Sequence, residues 1–113
     1  MLENYGDSTA QTSVHTPDDA GHGVLTKYAD TSLDDHWHTW RMGWDTRARS
    51  FTFYKDGVKY LTVVSDQMAN WCFSSGDPMF MVLNLAVGGA AGTPPETVQF
   101  PVDLLVDYVR VWT

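Results

Sequence analysis

The feature that most constrains the fold is a run of alternating side chains broken by tight turns, from His36 to Ser65. Within it, the stretches WHTWRMGW and SFTFYKDG alternate with the two-residue period of a β-strand. The DTRAR stretch predicts one turn, and Asp56-Gly57 can supply the positive φ that a tight hairpin requires. The run therefore predicts three consecutive antiparallel strands.

Two later runs also have strand character. PMFMVLNLAVGG, at 78–89, is apolar on both pleat faces up to Asn84, which is typical of a central strand covered on both sides. A buried asparagine needs hydrogen-bond partners, so Asn84 is either satisfied by neighbouring backbone or points into a polar cleft. VDLLVDYVRVWT, at 102–113, predicts a closing strand. Because no stretch has a capped helical period, the chain is predicted to be all-β.

The segments between these runs predict loops. PDDAGHG, at 17–23, and GGAAGTPPETVQFP, at 88–101, are rich in glycine and proline. A hydrophobic content of 43% is typical of a folded soluble protein. With 113 residues and neither an internal repeat nor a linker, the chain is expected to form one domain over 1–113.

Charge and composition exclude several classes of partner. Seven basic against fourteen acidic residues give a formal net charge of -7, the wrong sign for binding nucleic acid or anionic lipid. No run approaches the ~18 apolar residues of a membrane span, and the N-terminus lacks a signal-peptide pattern. The single cysteine, Cys72, excludes an intrachain disulfide and is expected to be a small buried side chain.

Seven motifs occur in one order: LEN, VHTP, WHTWRMGWD, FTFYKDG, WCF, PMFMVLNLAVGG and VDYVRVW. Together they resemble the C-terminal half of glycoside hydrolase family 16, which includes laminarinases and related β-glucanases. The resemblance runs from Leu2 to Trp112, and NLAVGG followed by VDYVRV is its most specific part. It implies a jelly-roll sandwich of the concanavalin A-like type, truncated on its N-terminal side.

The resemblance also implies a retaining mechanism with two glutamates on one strand. The family signature is Glu-x-Asp-x-x-Glu in its laminarinase-like branch, and aligning its end with MLE makes Glu3 the acid/base. The first Glu and the Asp of the signature would precede Met1 and are absent. Retaining hydrolysis needs two carboxyl groups about 5–5.5 Å apart, which a bulged strand provides when it keeps both on one face.

Downstream carboxylates do not replace the missing nucleophile in this reading. The candidates lie in polar, turn-like stretches or just before a strand, and are expected to be solvated turn residues: Asp7, Asp18, Asp19, Asp34 and Asp35. The isolated chain is therefore not expected to hydrolyse glycosides by the family mechanism. The sequence therefore leaves open whether the chain is an enzyme.

Three substrate-binding candidates accompany Glu3, and the resemblance bears on the first of them, His15. His15 falls where similar enzymes carry a cleft-facing histidine, which could bind a sugar hydroxyl or the acid/base; a structural histidine is the alternative. Trp71 is the tryptophan most suited to stack on a sugar ring, whereas Trp40 and Trp44 alternate like inward-facing strand residues. Asn84 is the third candidate if it points into a polar cleft, and a structural residue if neighbouring backbone satisfies it. AAG follows NLAVGG where the family often places an aromatic residue.

Metal ligands are weakly indicated. His36 and His38 share one strand face, but two ligands without a third do not define a site. Asp107 corresponds to a position that helps to bind a structural Ca²⁺ in some similar enzymes, although calcium needs six to eight oxygen ligands. No cofactor is expected, with a structural calcium at Asp107 as the weak exception.

Two function classes remain open. The first is a laminarinase-type β-glucan hydrolase domain, completed by a carboxylate from another chain; the second is a non-catalytic carbohydrate-binding or structural jelly roll. Either would be extracellular or surface-associated by resemblance. Removing strands from a sandwich leaves unpaired edges and uncovered apolar surface, so a homo-oligomer or a larger assembly is expected.

Overall fold

A computed structural model describes residues 1–17, 23–74, 76–89 and 92–113, and only the backbone of 23–27. The chain divides into two compact units, Met1–Pro78 and Met79–Thr113. The first unit contains two antiparallel three-stranded sheets, here called sheet A and sheet B.

Sheet A is built from β1 (Leu2–Glu3), β2 (Thr9–Pro17) and β3 (Gly23–Ser32), in that spatial order. The β1–β2 pairing continues to the first residue, because Ser13 donates its backbone N–H to the Met1 carbonyl at 2.8 Å. The Met1 ammonium in turn donates to the Ser13 carbonyl at 2.5 Å. Glu3 is therefore held in a ladder.

The strand β2 has one buried face, on which threonine alternates with alanine and valine, and one polar face. Its inward residues are almost completely buried, and they are Ala10, Thr12, Val14 and Thr16. A register shift lies between Val14 and His15, where β3 carries one extra residue opposite β2. Because the extra residue belongs to β3, the alternation of β2 is unbroken, and His15 stays on the face opposite to Val14.

Sheet B is the predicted three-stranded meander. It consists of β4 (Trp40–Asp45), β5 (Ser50–Lys55) and β6 (Val58–Val64), followed by a short 3₁₀ helix at Ser65–Gln67. The turn between β5 and β6 has φ of 51° at Asp56 and 80° at Gly57, so the predicted hairpin is confirmed with its positive φ values.

The core lies between the two sheets. It is formed by Val14 from sheet A and by five residues of sheet B and the segment after it, namely Phe51, Phe53, Leu61, Val63 and Met68. Trp44, Trp71 and Phe73 pack around it. The prediction of an all-β sandwich of the jelly-roll kind is confirmed by this arrangement.

The second unit differs from the sequence prediction. Among its described residues none lies in a strand, so the strands predicted at 78–89 and 102–113 are wrong for this structure. Apolar side chains there stay exposed, with Phe80 at 89% and Val111 at 76%. The physical reason is that a strand needs a neighbouring backbone to pair with, and residue pattern alone does not supply that neighbour.

Two smaller findings concern single features. Cys72 is exposed, so the expectation of a buried cysteine is wrong. Its neighbours Trp71 and Phe73 turn toward the core and leave it on the outer side. Helices long and apolar enough to cross a membrane are absent from the part of the chain that the structure describes.

Candidate functional site

The outer face of sheet A carries a continuous set of polar side chains. Residues directly opposite each other in an antiparallel ladder share a face, so the register alone defines the set. We call it the polar face, and it consists of Glu3, Gln11, Ser13, His15, Tyr28 and Asp30.

Glu3 lies at the edge of this face. It pairs with Gln11, which in turn pairs with Asp30, so the three form one row across the sheet. Its side chain is half-buried, and its carboxylate lies near the Tyr5 hydroxyl.

The surroundings of Glu3 perturb two neighbouring groups. The pKa of the Tyr5 hydroxyl is raised chiefly by desolvation, and further by the nearby Glu3 carboxylate. The pKa of the Met1 ammonium is lowered by burial, while the charge of Glu3 acts in the opposite direction. The negative charge of Glu3 therefore acts on both the Met1 amine and the Tyr5 phenol.

Asp30 is the carboxylate that the register places in the same row as Glu3. Two strand spacings separate their backbones, about 10 Å in all, whereas a retaining pair needs about 5–5.5 Å. Gln11 stands between them, with its side-chain N–H 3.4 Å from the Asp30 carboxylate. Asp30 is therefore badly placed to serve Glu3 as nucleophile.

His15 is exposed on the polar face, and its Nε2 lies 3.2 Å from the Ser13 hydroxyl. It is four residues along β2 from Gln11, the partner of Glu3, which corresponds to roughly 13 Å along the strand. A direct hydrogen bond between His15 and Glu3 is excluded by that separation. The alternative role, a bond to a sugar hydroxyl, is compatible with the position.

Trp71 lies at the border of the core. Its ring centroid is 5.5 Å from that of Phe51 and 5.2 Å from that of Phe73, and its indole N–H donates to the Phe73 carbonyl at 2.8 Å. The neighbouring Asn70 amide donates to the Pro17 carbonyl at 2.9 Å, which ties this segment to the end of β2. Since Phe51 is on the inner face of sheet B, Trp71 is not part of the polar face.

The second unit holds the other two predicted site residues. Asn84 and Asp107 are exposed and lie outside any strand. Within the described residues, the group of three or more potential metal ligands lies at Asp34, Asp35 and His36, not at Asp107.

The remaining carboxylate candidates are turn residues where the structure describes them. Asp7 accepts hydrogen bonds from the backbone and the hydroxyl of Thr9, both at 2.8 Å, and these bonds lower its pKa. Asp34 and Asp35 lie exposed in the segment between β3 and β4. Asp18 and Asp19 fall outside the described residues.

Sequence reasoning missed four members of the polar face, Gln11, Ser13, Tyr28 and Asp30. Tyr28 is 53% exposed and directly opposite Ser13, so it is an aromatic ring available on the same face as Glu3. The signal was present, because alternation along β2 and β3 separates these residues from the buried ones. To group these residues on one face, the register between the strands must also be known, and it cannot be predicted from the sequence alone.

Comparison with known proteins gives a partial match. Two proteins of Rhizobium meliloti (strain 1021), named endo-1,3-1,4-beta-glycanase ExsH and endo-1,3-1,4-beta-glycanase EglC, are each 43% identical to this chain over 37 residues. The matched stretch covers 33% of this chain and 8% of each relative. No protein-family profile matches the chain, and no solved structure matches it. A glycoside hydrolase-like stretch is therefore indicated.

Proposed function

We propose that this chain is a glycoside hydrolase family 16-like domain that acts on or binds β-glucan of the laminarin type. The observation that carries the proposal is the position of Glu3, half-buried on the paired edge of a polar sheet face and close to the Tyr5 hydroxyl. The similarity of one third of the chain to two proteins named as glycanases supports the same substrate class.

In the proposed mechanism Glu3 is the acid/base of a retaining double displacement. It protonates the leaving glycosidic oxygen in the first step and removes a proton from water in the second. The nucleophile that attacks the anomeric carbon is a carboxylate from outside this chain, since Asp30 is about two strand spacings away. Activity therefore depends on a completed assembly.

The sugar would lie along β2. His15 and the Gln11 amide offer hydrogen bonds to hydroxyl groups, and Tyr28 offers a ring against which a sugar's apolar face can pack. No metal or cofactor enters the proposed chemistry.

The test is reducing-sugar release from laminarin and from mixed-linkage β-glucan, comparing the chain with Glu3→Gln. Glu96→Gln is the matched control, because Glu96 is an exposed glutamate in the second unit. We expect activity to be lost in the first variant and kept in the second. Sugar release that is measurable and equal in both variants would rule out Glu3 as the acid/base.

A second function is favoured by the missing second carboxylate near Glu3 in the described residues. A polar face with an exposed tyrosine and histidine suits a non-catalytic carbohydrate-binding module of lectin-like or surface-decoration type. Binding of the same glucans without sugar release, measured by isothermal titration calorimetry, would identify this function. Absence of both binding and sugar release would overturn both proposals.

We also propose that the chain works in a homo-oligomer or a larger assembly. The exposed apolar side chains of the second unit, among them Phe80 and Val111, support it. A single species of about the mass of one chain in light scattering would contradict it. An extracellular or surface setting follows from a β-glucan substrate.

A further inference from the structure

The basic residues of this acidic chain are concentrated in sheet B. Five of the seven lysine and arginine residues lie between Trp40 and Val64, a stretch that holds only two of the fourteen acidic residues. Sheet B therefore carries a local positive charge, although the net charge of the chain is -7. At physiological ionic strength charges are screened over about 8 Å, so a ligand that lies on this sheet responds mainly to the charges nearby.

The two acidic residues of this stretch are engaged in turns. Asp45 Oδ1 accepts two backbone N–H groups of the turn between β4 and β5, at 2.9 and 2.8 Å. Asp56 Oδ1 accepts the Thr39 backbone N–H at 2.9 Å, and its Oδ2 lies 2.8 Å from His38 Nδ1. In the part of the chain that the structure describes, neither carboxylate forms an ion pair with a lysine or arginine of sheet B. The two carboxylates therefore do not neutralise the basic side chains of the sheet by direct pairing.

The outward side of sheet B follows from its register. Phe53 is buried in the core, so its neighbour Tyr54 lies on the outer face. Residues directly opposite each other in the ladder share a face. The register then gives two outward rows, with Arg41, Tyr54 and Lys59 in one row and Gly43, Thr52 and Thr62 in the next. We call these six residues the basic face.

Arg41 is held in place on the basic face. Its Cζ atom lies 3.8 Å from the centroid of the Tyr54 ring, in cation–π contact. A guanidinium stacked on an aromatic ring keeps its N–H donors at its edge, where two of them can bind one carboxylate. Arg41 and Lys59 are both exposed, and among the described residues no carboxylate lies within ion-pair distance of either. The row thus presents a cation on each side of Tyr54.

We propose that the basic face binds a polysaccharide that carries carboxylate groups. Arg41 and Lys59 hold the carboxylates, while the Thr52 and Thr62 hydroxyls of the neighbouring row donate to and accept from sugar hydroxyls. Gly43 adds no side chain to that row, and the nearest atom to an added Cβ there is Thr52 O at 3.9 Å. The row is therefore low and leaves room for a sugar chain. This surface lies on sheet B, whereas the proposed β-glucan surface lies on sheet A.

Two other kinds of anionic partner fit the basic face less well. Double-stranded DNA carries about one negative charge per 1.7 Å of its axis, and a chain with a net charge of -7 repels a polymer of that charge density. A uronic-acid polymer spreads its charge, with a carboxylate on each sugar ring. An acidic polypeptide also supplies carboxylates, but it has few hydroxyl groups to match those of Thr52 and Thr62.

The test is the binding of polygalacturonate to the purified chain, measured by calorimetry beside its methyl ester, which keeps the ring hydroxyl groups but has no charge. We expect the acid form to bind, more weakly as NaCl is added, and the ester not to bind. Arg41→Gln should weaken binding about tenfold, because a hydrogen-bonded charge pair is lost. Lys59→Gln should weaken it about two- to fivefold, as for an exposed ion pair. Both variants change exposed side chains, and circular dichroism checks that they fold.

Arg110→Gln is the matched control, because Arg110 also lies over a tyrosine ring, that of Tyr108 at 4.6 Å, but belongs to the second unit. We expect unchanged affinity for polygalacturonate in that variant. An equal loss in the Arg110 and Arg41 variants would overturn the proposal. So would the absence of polygalacturonate binding, equal binding of the methyl ester, or unchanged affinity in both the Arg41 and the Lys59 variants.

Polyglutamate separates the two sources of carboxylate groups. We expect it to bind more weakly than polygalacturonate at equal carboxylate concentration. Binding as tight as that of polygalacturonate, and equally reduced by Arg41→Gln, would assign the basic face to an acidic polypeptide and overturn the choice of a polysaccharide. Laminarin is uncharged, so a failure to bind or cleave it would count against the proposed function on sheet A alone.

Discussion

The Thr12 hydroxyl and the Tyr60 hydroxyl lie 2.5 Å apart and join the two sheets of the first unit. Thr12 projects from β2 and is completely buried, while Tyr60 projects from β6 and is half-buried. Around them the contact between the sheets is apolar. Hydrophobic burial is non-directional, so it does not by itself fix the position of one sheet relative to the other. The hydrogen bond between Thr12 and Tyr60 supplies that directional contact.

The first prediction concerns this pair. Tyr60→Phe leaves the buried Thr12 oxygen without its partner and should lower the free energy of unfolding by about 1–3 kcal/mol. Thr12→Val leaves the Tyr60 hydroxyl with access to water and should cost less, about 1 kcal/mol. Urea unfolding of both single variants and of the double variant gives a double-mutant cycle. A double variant as unstable as the sum of the two would contradict the coupling.

The second prediction concerns alkaline pH. The pKa of Tyr60 is raised, chiefly because burial disfavours the phenolate, and the Thr12 hydrogen bond only partly offsets this. Unfolded Tyr60 ionises near its ordinary pKa of about 10, whereas folded Tyr60 keeps its proton to higher pH. The folded state then binds more protons, so stability falls as pH rises above that value. Urea unfolding at pH 9 to 11 should show a steeper fall in the unmodified chain than in Tyr60→Phe; equal slopes would refute this.

The parts of the fold that were predictable are those in which sequence and pairing are local. The meander from β4 to β6 could be predicted because its turns are short and because Asp56-Gly57 specifies one of them. The position of Glu3 on a strand was also predictable, from the resemblance. The register of β1, β2 and β3 could not be predicted from the sequence. For that reason the sequence did not show that Gln11, Tyr28 and Asp30 lie on one face.

The two wrong strand predictions in the second unit have the same cause. At 78–89 and 102–113 the residues have high strand propensity, but strand formation depends on a paired backbone and on cover for both faces. His36 and His38 were visible as a pair in the sequence, whereas the approach of both rings to Asp34 became visible only when the bend between β3 and β4 was known.

The third prediction concerns the β5–β6 hairpin. Gly57 has φ of +80°, and an added Cβ there would meet no atom within 4 Å, so the cost of Gly57→Ala is conformational alone, about 1–2 kcal/mol. Gly43→Ala is the matched control, since its backbone is ordinary and its nearest contact is Thr52 O at 3.9 Å. Thermal unfolding of the two variants checks this. A larger loss in Gly43→Ala than in Gly57→Ala would contradict it.

The fourth prediction concerns the aromatic ring on the polar face. Tyr28 is 53% exposed beside Ser13 and His15, and ring packing against a sugar is worth about 0.5–1.5 kcal/mol by analogy with aromatic pairs. Tyr28→Ala should therefore weaken laminarin binding by about two- to tenfold, measured by calorimetry. Tyr54→Ala is the matched control, because Tyr54 is on sheet B and packs under Arg41 at 3.8 Å. If both variants weakened binding equally, the loss would reflect a general effect on the fold, and the polar face would no longer be supported as the glucan surface.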